Sequence, residues 1–254
     1  RRPPRSTQGV SSAASDVYKR QIGILLAQGT PTIMRCSYMK VNKGKEAAFE
    51  KAVTSHVSRW HGIGQWNQYG WVVETGSRTG QYFVGTLGHY WEDFDERITT
   101  KEHDNDWKRI SNAYVDDNGG SGLTFWNYAP ELSYNNSASS KIAFTTYHCR
   151  ANALDSMLEI MVRFKEANEK AMIDVSYLVF KKEAGGPNEV FAVLALMDGY
   201  ADMAPMSPSI MERYVAAFGK EVWQKDYQTW TNGLKWSETE IMTFLPDLSS
   251  TSPE

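Results

Sequence analysis

The chain has 254 residues, 41% hydrophobic and 22% charged, with 27 basic residues against 30 acidic ones. That composition belongs to an ordinary globular protein and excludes collagen-like, disordered and polytopic membrane chains. Two cysteines are too few for a disulfide framework, and the absence of a basic stripe argues against a dedicated nucleic-acid binder.

Residues 1–21 carry five basic residues and one acid with almost no apolar periodicity, then stop abruptly at an apolar run. Arg1 to Thr7 and Ser11 to Gln21 can both be reverse-translated into strings that resemble the adapters of a transposase-based sequencing library, so this leader is read as non-native. The alternative is a natural disordered basic leader. Setting it aside leaves 22 basic residues against 29 acidic ones, a net charge of −7, and removes any case for anionic partners drawn from the arginine-rich start. The next segment, 22–29, ends in small Ala27 and Gly29 before Thr30. It reads as the end of a signal peptide, implying a secreted or periplasmic protein; the alternative is a short buried strand running into Ile33. No stretch approaches the roughly 20 apolar residues needed to span a bilayer.

From there the periodicity changes element by element. A strand is predicted over 33–41, then a helix on which Phe49, Ala52, Val53, Val57 and Trp60 share one face. Strands over 70–75 and 81–89 flank the turn 76–80, a helical region covers 92–115, and a last strand covers 123–128. A second series follows: strand 142–149, a helix bearing Leu154, Met157, Leu158, Met161 and Phe164, strands 175–182 and 190–197 around Gly185, helix 209–232 and strand 240–245. Sliding the chain on itself by 109 residues pairs Tyr38 with Tyr147, Trp71 with Phe180, Tyr82 with Phe191 and Trp91 with Tyr200 without a gap. The chain is therefore read as two tandem ferredoxin-like βαββαβ units, 30–135 and 141–254, joined by a polar linker at 136–140. An α+β architecture follows, the two units packed sheet to sheet as a pseudo-dimeric barrel.

The run from Tyr38 to Phe49, a strand entering a Gly-Lys turn and a helix, is similar to the opening of NIPSNAP-like and antibiotic-biosynthesis-monooxygenase-like domains. Glu183 to Phe191, followed by Asp198 to Met203, is similar to their hairpin and second-helix entry. The chain thus resembles the dimeric α+β barrel superfamily in duplicated form. The resemblance covers nearly all of 33–249 but rests on turns and core positions, and it implies cofactor-independent oxygenases, isomerases, haem enzymes or proteins without known activity. Haem of the chlorite-dismutase-like kind would need a histidine on a helix of the second unit, and neither predicted helix there has one.

Five histidines are the first candidates for chemistry. His56, His61 and His103 pair in the 109-residue register with Lys165, Lys170 and Glu212, which suggests solvent-facing roles. His89 pairs with Asp198 at a strand end, as a cap or as part of a site. His148 follows Ile142, Phe144 and Thr146 on one strand face and is the candidate general base or ligand contact, the alternative being a hydrogen-bonded core residue. Tyr38 and Tyr147 are expected as its hydrogen-bonding partners, with Trp71, His89, Trp126 and Phe180 lining an apolar pocket or filling the core. No metal-ligand spacing such as His-x-x-x-His or Cys-x-x-Cys occurs, so no metal and no cofactor are expected. Cys36 and Cys149, each on a first strand, are read as free buried thiols, the alternative being a disulfide if those strands are neighbours. The functional expectation is an exported barrel binding an apolar or aromatic small molecule, as a cofactor-independent oxygenase or isomerase, and either a monomer with a pseudo-twofold axis or a homo-oligomer. The alternative is a non-catalytic module using Trp66 and Tyr69 as an exposed stacking platform.

Overall fold

The computed structural model describes residues 33–62, 66–116, 120–137 and 139–250. The adapter-like leader and the signal-peptide segment lie outside the described residues. The first half contains β1 (Ile33–Met39), α1 (Glu46–Trp60), β2 (Tyr69–Val73), β3 (Tyr82–His89), α2 (Trp91–Glu96), α3 (Lys101–Tyr114) and β4 (Thr124–Tyr128). The second contains β5 (Lys141–Cys149), α4 (Leu154–Ala171), β6 (Tyr177–Ala184), β7 (Val190–Met197), α5 (Ile210–Phe218), α6 (Lys220–Gly233) and β8 (Leu234–Phe244). The eight strands close into an antiparallel barrel in the order β1-β3-β2-β8-β5-β7-β6-β4. Two four-stranded sheets therefore face each other across a shared interior, and the β2–β8 and β4–β6 ladders close it. Closure leaves neither sheet an open edge. Among the described residues, no helix is long and apolar enough to cross a membrane.

Alternation along the strands sorts the core into three layers. Met34, Cys36, Phe83, Trp126, Phe144, Phe180, Ala192 and Met242 fill the barrel interior. On the outside, α1 and α3 cover the first sheet through Phe49, Val53, Val57 and Ile110, while α4 and α6 cover the second through Met157, Met161 and Trp230. Each fully buried Phe or Val contributes roughly 1.5–3 kcal/mol by leaving water.

Two predicted single helices are pairs. Gly219, at φ +89°, breaks the second into α5 and α6. In the first, α2 ends before Arg97 and Thr100 caps α3, its hydroxyl accepting the His103 N–H at 3.2 Å. Strand β8 begins at Leu234 rather than 240, because its polar start carries no apolar alternation and is held by pairing with β5.

The side-chain faces depart from the 109-residue pairing over the first strand of each half. Tyr38 packs against the interior cluster, whereas Tyr147 packs against the outer one beneath α4 and α6. Trp71 and Phe180 do share the inner face, as the 109-residue shift requires. A one-residue slip between β1 and β5 relative to the other strands reverses every face assignment there. Cys36 and Cys149 are free and buried, on non-neighbouring strands, one facing the interior and the other the outer cluster.

Candidate metal centre

The predicted site residues do not form one constellation. Tyr38, Trp126 and His148 line a cavity of about 250 Å³ at one end of the barrel, together with Arg78, Lys182 and Trp236. His148 stacks on Trp236 with ring centroids 3.6 Å apart. Burial lowers its pKa, so the ring is neutral near pH 7. The Tyr38 hydroxyl donates to Glu240 at 3.0 Å, and Glu240, 1% exposed, also takes a two-pronged contact from Arg78 at 2.8 Å. Arg78 thus ties the β2–β3 turn to β8.

Tyr147 cannot partner His148, since consecutive strand residues point to opposite faces. It stacks on Phe191 at 4.8 Å and lines a separate apolar cavity of about 330 Å³ with Phe164, Trp223 and Trp230. Trp71 and Phe180 pack within the interior. Tyr69 is buried and Trp66 half-buried, so they form no exposed platform. Trp66 instead stacks on His89 at 4.1 Å, and His89 Nε2 lies 2.5 Å from the Thr86 hydroxyl.

The expectation that His56, His61 and His103 face solvent is overturned. His56 is 1% and His61 7% exposed, and the three rings meet between α1 and α3. The physical reason lies in helical spacing that comparison of repeat positions ignored. His56 stands seven residues after Phe49 and three after Val53, on the buried face of α1. His103 stands four before Trp107 and seven before Ile110, on the inward face of α3. His61 follows directly on the end of α1, its N–H bonded to the Val57 carbonyl.

Each ring is oriented through Nδ1. That of His56 is 2.8 Å from Asp106 Oδ2, that of His61 is 2.7 Å from the Trp66 carbonyl, and that of His103 is 2.9 Å from Asp104 Oδ1. A carbonyl and ionised carboxylates only accept, so all three Nδ1 atoms carry the proton. Arg109 foremost, then His56, hold the Asp106 carboxyl down at about 2, so it is ionised. The Trp66 carbonyl is presented from a residue at φ +55°, in the left-handed region that few non-glycine residues occupy.

The Nε2 atoms are left as bare lone pairs, and they converge. His61 Nε2 lies 3.3 Å from that of His56 and 3.4 Å from that of His103, and a ligand atom from each ring lies within 4.8 Å of the others. Burial lowers the pKa of His56 and pushes His61 down to about 4, which keeps these two rings neutral. Between His56 and His61 a hydrogen bond through the Nε2 atoms would require a second proton on a buried ring. A tetrahedral ion with metal–nitrogen bonds of about 2.0–2.1 Å separates its ligands by about 3.3–3.4 Å, the spacing of the His56–His61 and His61–His103 pairs. Backbone carbonyl and carboxylate partners on the far nitrogens are the outer-shell arrangement that fixes metal-binding imidazoles. The cluster opens on a cavity of about 460 Å³ that also contains Arg35, Arg97, Trp66, Phe94 and Trp107.

The sequence matches no family model and no curated protein. Solved structures share its fold. A proposed monooxygenase from Lactobacillus acidophilus NCFM superposes with a TM-score of 0.54 at 8% identity, over 87% of this chain and 97% of that one. An anthrone oxidase-like protein gives 0.55 at 9%, over 90% and 96%, and a chlorite dismutase variant from Candidatus Nitrospira defluvii gives 0.54 at 8%, over 89% and 95%. The chain therefore has the dimeric α+β barrel fold of these monooxygenase-like and chlorite dismutase-like proteins. At such identities the likeness extends to the fold alone. The haem that the dismutase branch implies does not fit the second half, whose helices α4, α5 and α6 contain no histidine.

Proposed function

We propose that the chain is a metal-dependent enzyme acting on a small molecule, in which His56, His61 and His103 hold one divalent ion whose fourth position opens into the adjoining cavity. The observation that carries this reading is the approach of the His56 and His103 Nε2 atoms to that of His61, at 3.3 and 3.4 Å, with every Nδ1 committed elsewhere. Imidazole donors suit zinc, copper, iron and nickel, and the tetrahedral spacing favours zinc. Held by three imidazoles, such an ion would keep its full double charge and would supply Lewis-acid activation of water or of a substrate oxygen. Metal analysis of the chelator-stripped and zinc-reloaded protein tests this: one equivalent per chain is expected, lost in His61→Ala and in His103→Ala. Wild-type protein that takes up no stoichiometric ion refutes it.

A second reading has its own support. Tyr38, Trp126 and a neutral His148 line the barrel-end cavity, where His148 would act as a base without a cofactor, in the manner of an oxygenase or isomerase. A His148→Ala variant with full metal content and no turnover would favour it; full turnover removes it. We further propose that the protein is exported, from the apolar run ending in Ala27 and Gly29. A secreted form beginning at Thr30 tests this.

A further inference from the structure

Arg35 and Arg97 share the histidine cavity without a carboxylate in ion-pair contact among the described residues. Elsewhere the covered guanidiniums are met by hydrogen-bond acceptors: Arg78 by Glu238 and Glu240, Arg163 by Asp226, and buried Arg213 by Asn168 Oδ1 and the Pro208 carbonyl. Here the nearest acidic influence on Arg97 is Asp104, already engaged by His103 at 2.9 Å and by the Thr99 hydroxyl at 3.0 Å. Both guanidiniums lie against aromatic faces instead. Arg97 Cζ is 4.6 Å from the centroid of Trp66, and Arg35 Cζ is 5.8 Å from Trp66 and 5.6 Å from Phe94. Burial foremost, and then repulsion from Arg97, lowers the pKa of Arg35. The pair is held in place by ring contacts, with no ion pair to a carboxylate among the described residues.

We infer that Arg35 and Arg97 bind the carboxylate of a small organic acid whose apolar body lies along Trp66, Phe94 and Trp107. As an assignment of substrate class it rests on the metal reading above, which sets the reacting end of the molecule at the histidines; the anion pocket itself rests on the arginines. Guanidinium forks match the planar carboxylate with paired, charge-assisted hydrogen bonds. The aromatic walls favour an aromatic or aliphatic acid over a bare inorganic anion. The volume of about 460 Å³ is in the range of pockets for such molecules.

The test uses zinc-loaded protein titrated calorimetrically with sodium benzoate, benzyl alcohol and inorganic phosphate. Benzoate is expected to saturate one site, with benzyl alcohol and phosphate each at least about tenfold weaker, and Arg35→Gln and Arg97→Gln are each expected to weaken benzoate by about 10–100-fold. Zinc content and melting temperature, measured on the same samples, should stay at wild-type values and show that the variants fold. Equal binding of benzoate and benzyl alcohol overturns the inference, as does wild-type benzoate affinity in both variants. Phosphate binding tighter than benzoate overturns the carboxylate assignment. If wild-type protein takes up no zinc yet binds benzoate with the same arginine dependence, the anion pocket stands and the metal reading falls.

Discussion

Truncation of His61 to alanine separates an ordinary core histidine from a metal ligand. Without metal, His61→Ala removes the donor to the Trp66 carbonyl, held at 2.7 Å, and leaves that acceptor in a part-buried site. The cost of such an orphaned group is about 1–3 kcal/mol. With zinc present at about a hundred times its dissociation constant, the wild type gains a further ~2.7 kcal/mol by linkage, and the variant gains little of it with only two histidines left. For a chain of this size that increment is about 5–11 °C in melting temperature. The assay is urea denaturation of both proteins, each with chelator and with zinc. The stability gap between them is expected to widen by about 2–3 kcal/mol when zinc replaces chelator. A gap unchanged by zinc refutes the reasoning, because a purely structural histidine is indifferent to the ion.

Other parts of the molecule give independent tests. Arg78→Ala leaves the carboxylate of Glu240, 1% exposed, without its charged partner and, among the described residues, with only the Tyr38 hydroxyl beside it, which should cost about 3–5 kcal/mol in urea denaturation; a loss below about 1 kcal/mol would contradict the pairing. Partial burial pushes the Glu74 carboxyl up, but hydrogen bonds from Lys141, Thr243 and Tyr200 outweigh it and hold the group down at about 2 against an ordinary 4.5. Its contribution is therefore present above pH 4.5 and lost as pH falls toward 2. Being partly solvated, Glu74→Gln should cost about 1 kcal/mol at pH 7, and this gap should shrink between pH 5 and pH 2; a gap independent of pH contradicts it. Gly185 sits at φ +88° with the Leu123 carbonyl oxygen 2.2 Å from where a Cβ would lie. Gly185→Ala should therefore lower the melting temperature by several degrees, by about 1–3 kcal/mol of strain, and an unchanged temperature would show that this turn relaxes freely.

Much of the fold was legible because barrel strands and covering helices write their periods into the chain. Phe49, Val53 and Val57 announced α1, and the hairpin glycines placed β2, β3, β6 and β7 to within a few residues. The polar start of β8 was not legible, since it is held by its ladder to β5 rather than by an apolar pattern of its own. The barrel-end cavity was found in part: Tyr38, Trp126 and His148 meet there. Tyr147 was misplaced because pairing it with Tyr38 assumed one register throughout, and a slip of one residue moves a side chain to the other face of a sheet. The histidine cluster was missed for a related reason. Its members are 5 and 42 residues apart, a spacing no local motif describes, and they meet because α1 and α3 pack side by side. Helical spacing did hold the signal: His56 falls in the stripe with Phe49 and Val53, and His103 in the stripe with Trp107 and Ile110.

The central claim is that three imidazoles form the coordination sphere of one ion, and X-ray absorption at the zinc edge of the reloaded protein tests it most directly. The account expects a first shell of nitrogen and oxygen at about 2.0 Å with the outer scattering of three imidazole rings, and no bound ion to observe in His103→Ala. A shell with sulfur at about 2.3 Å, or one of water oxygens without imidazole scattering, would contradict it.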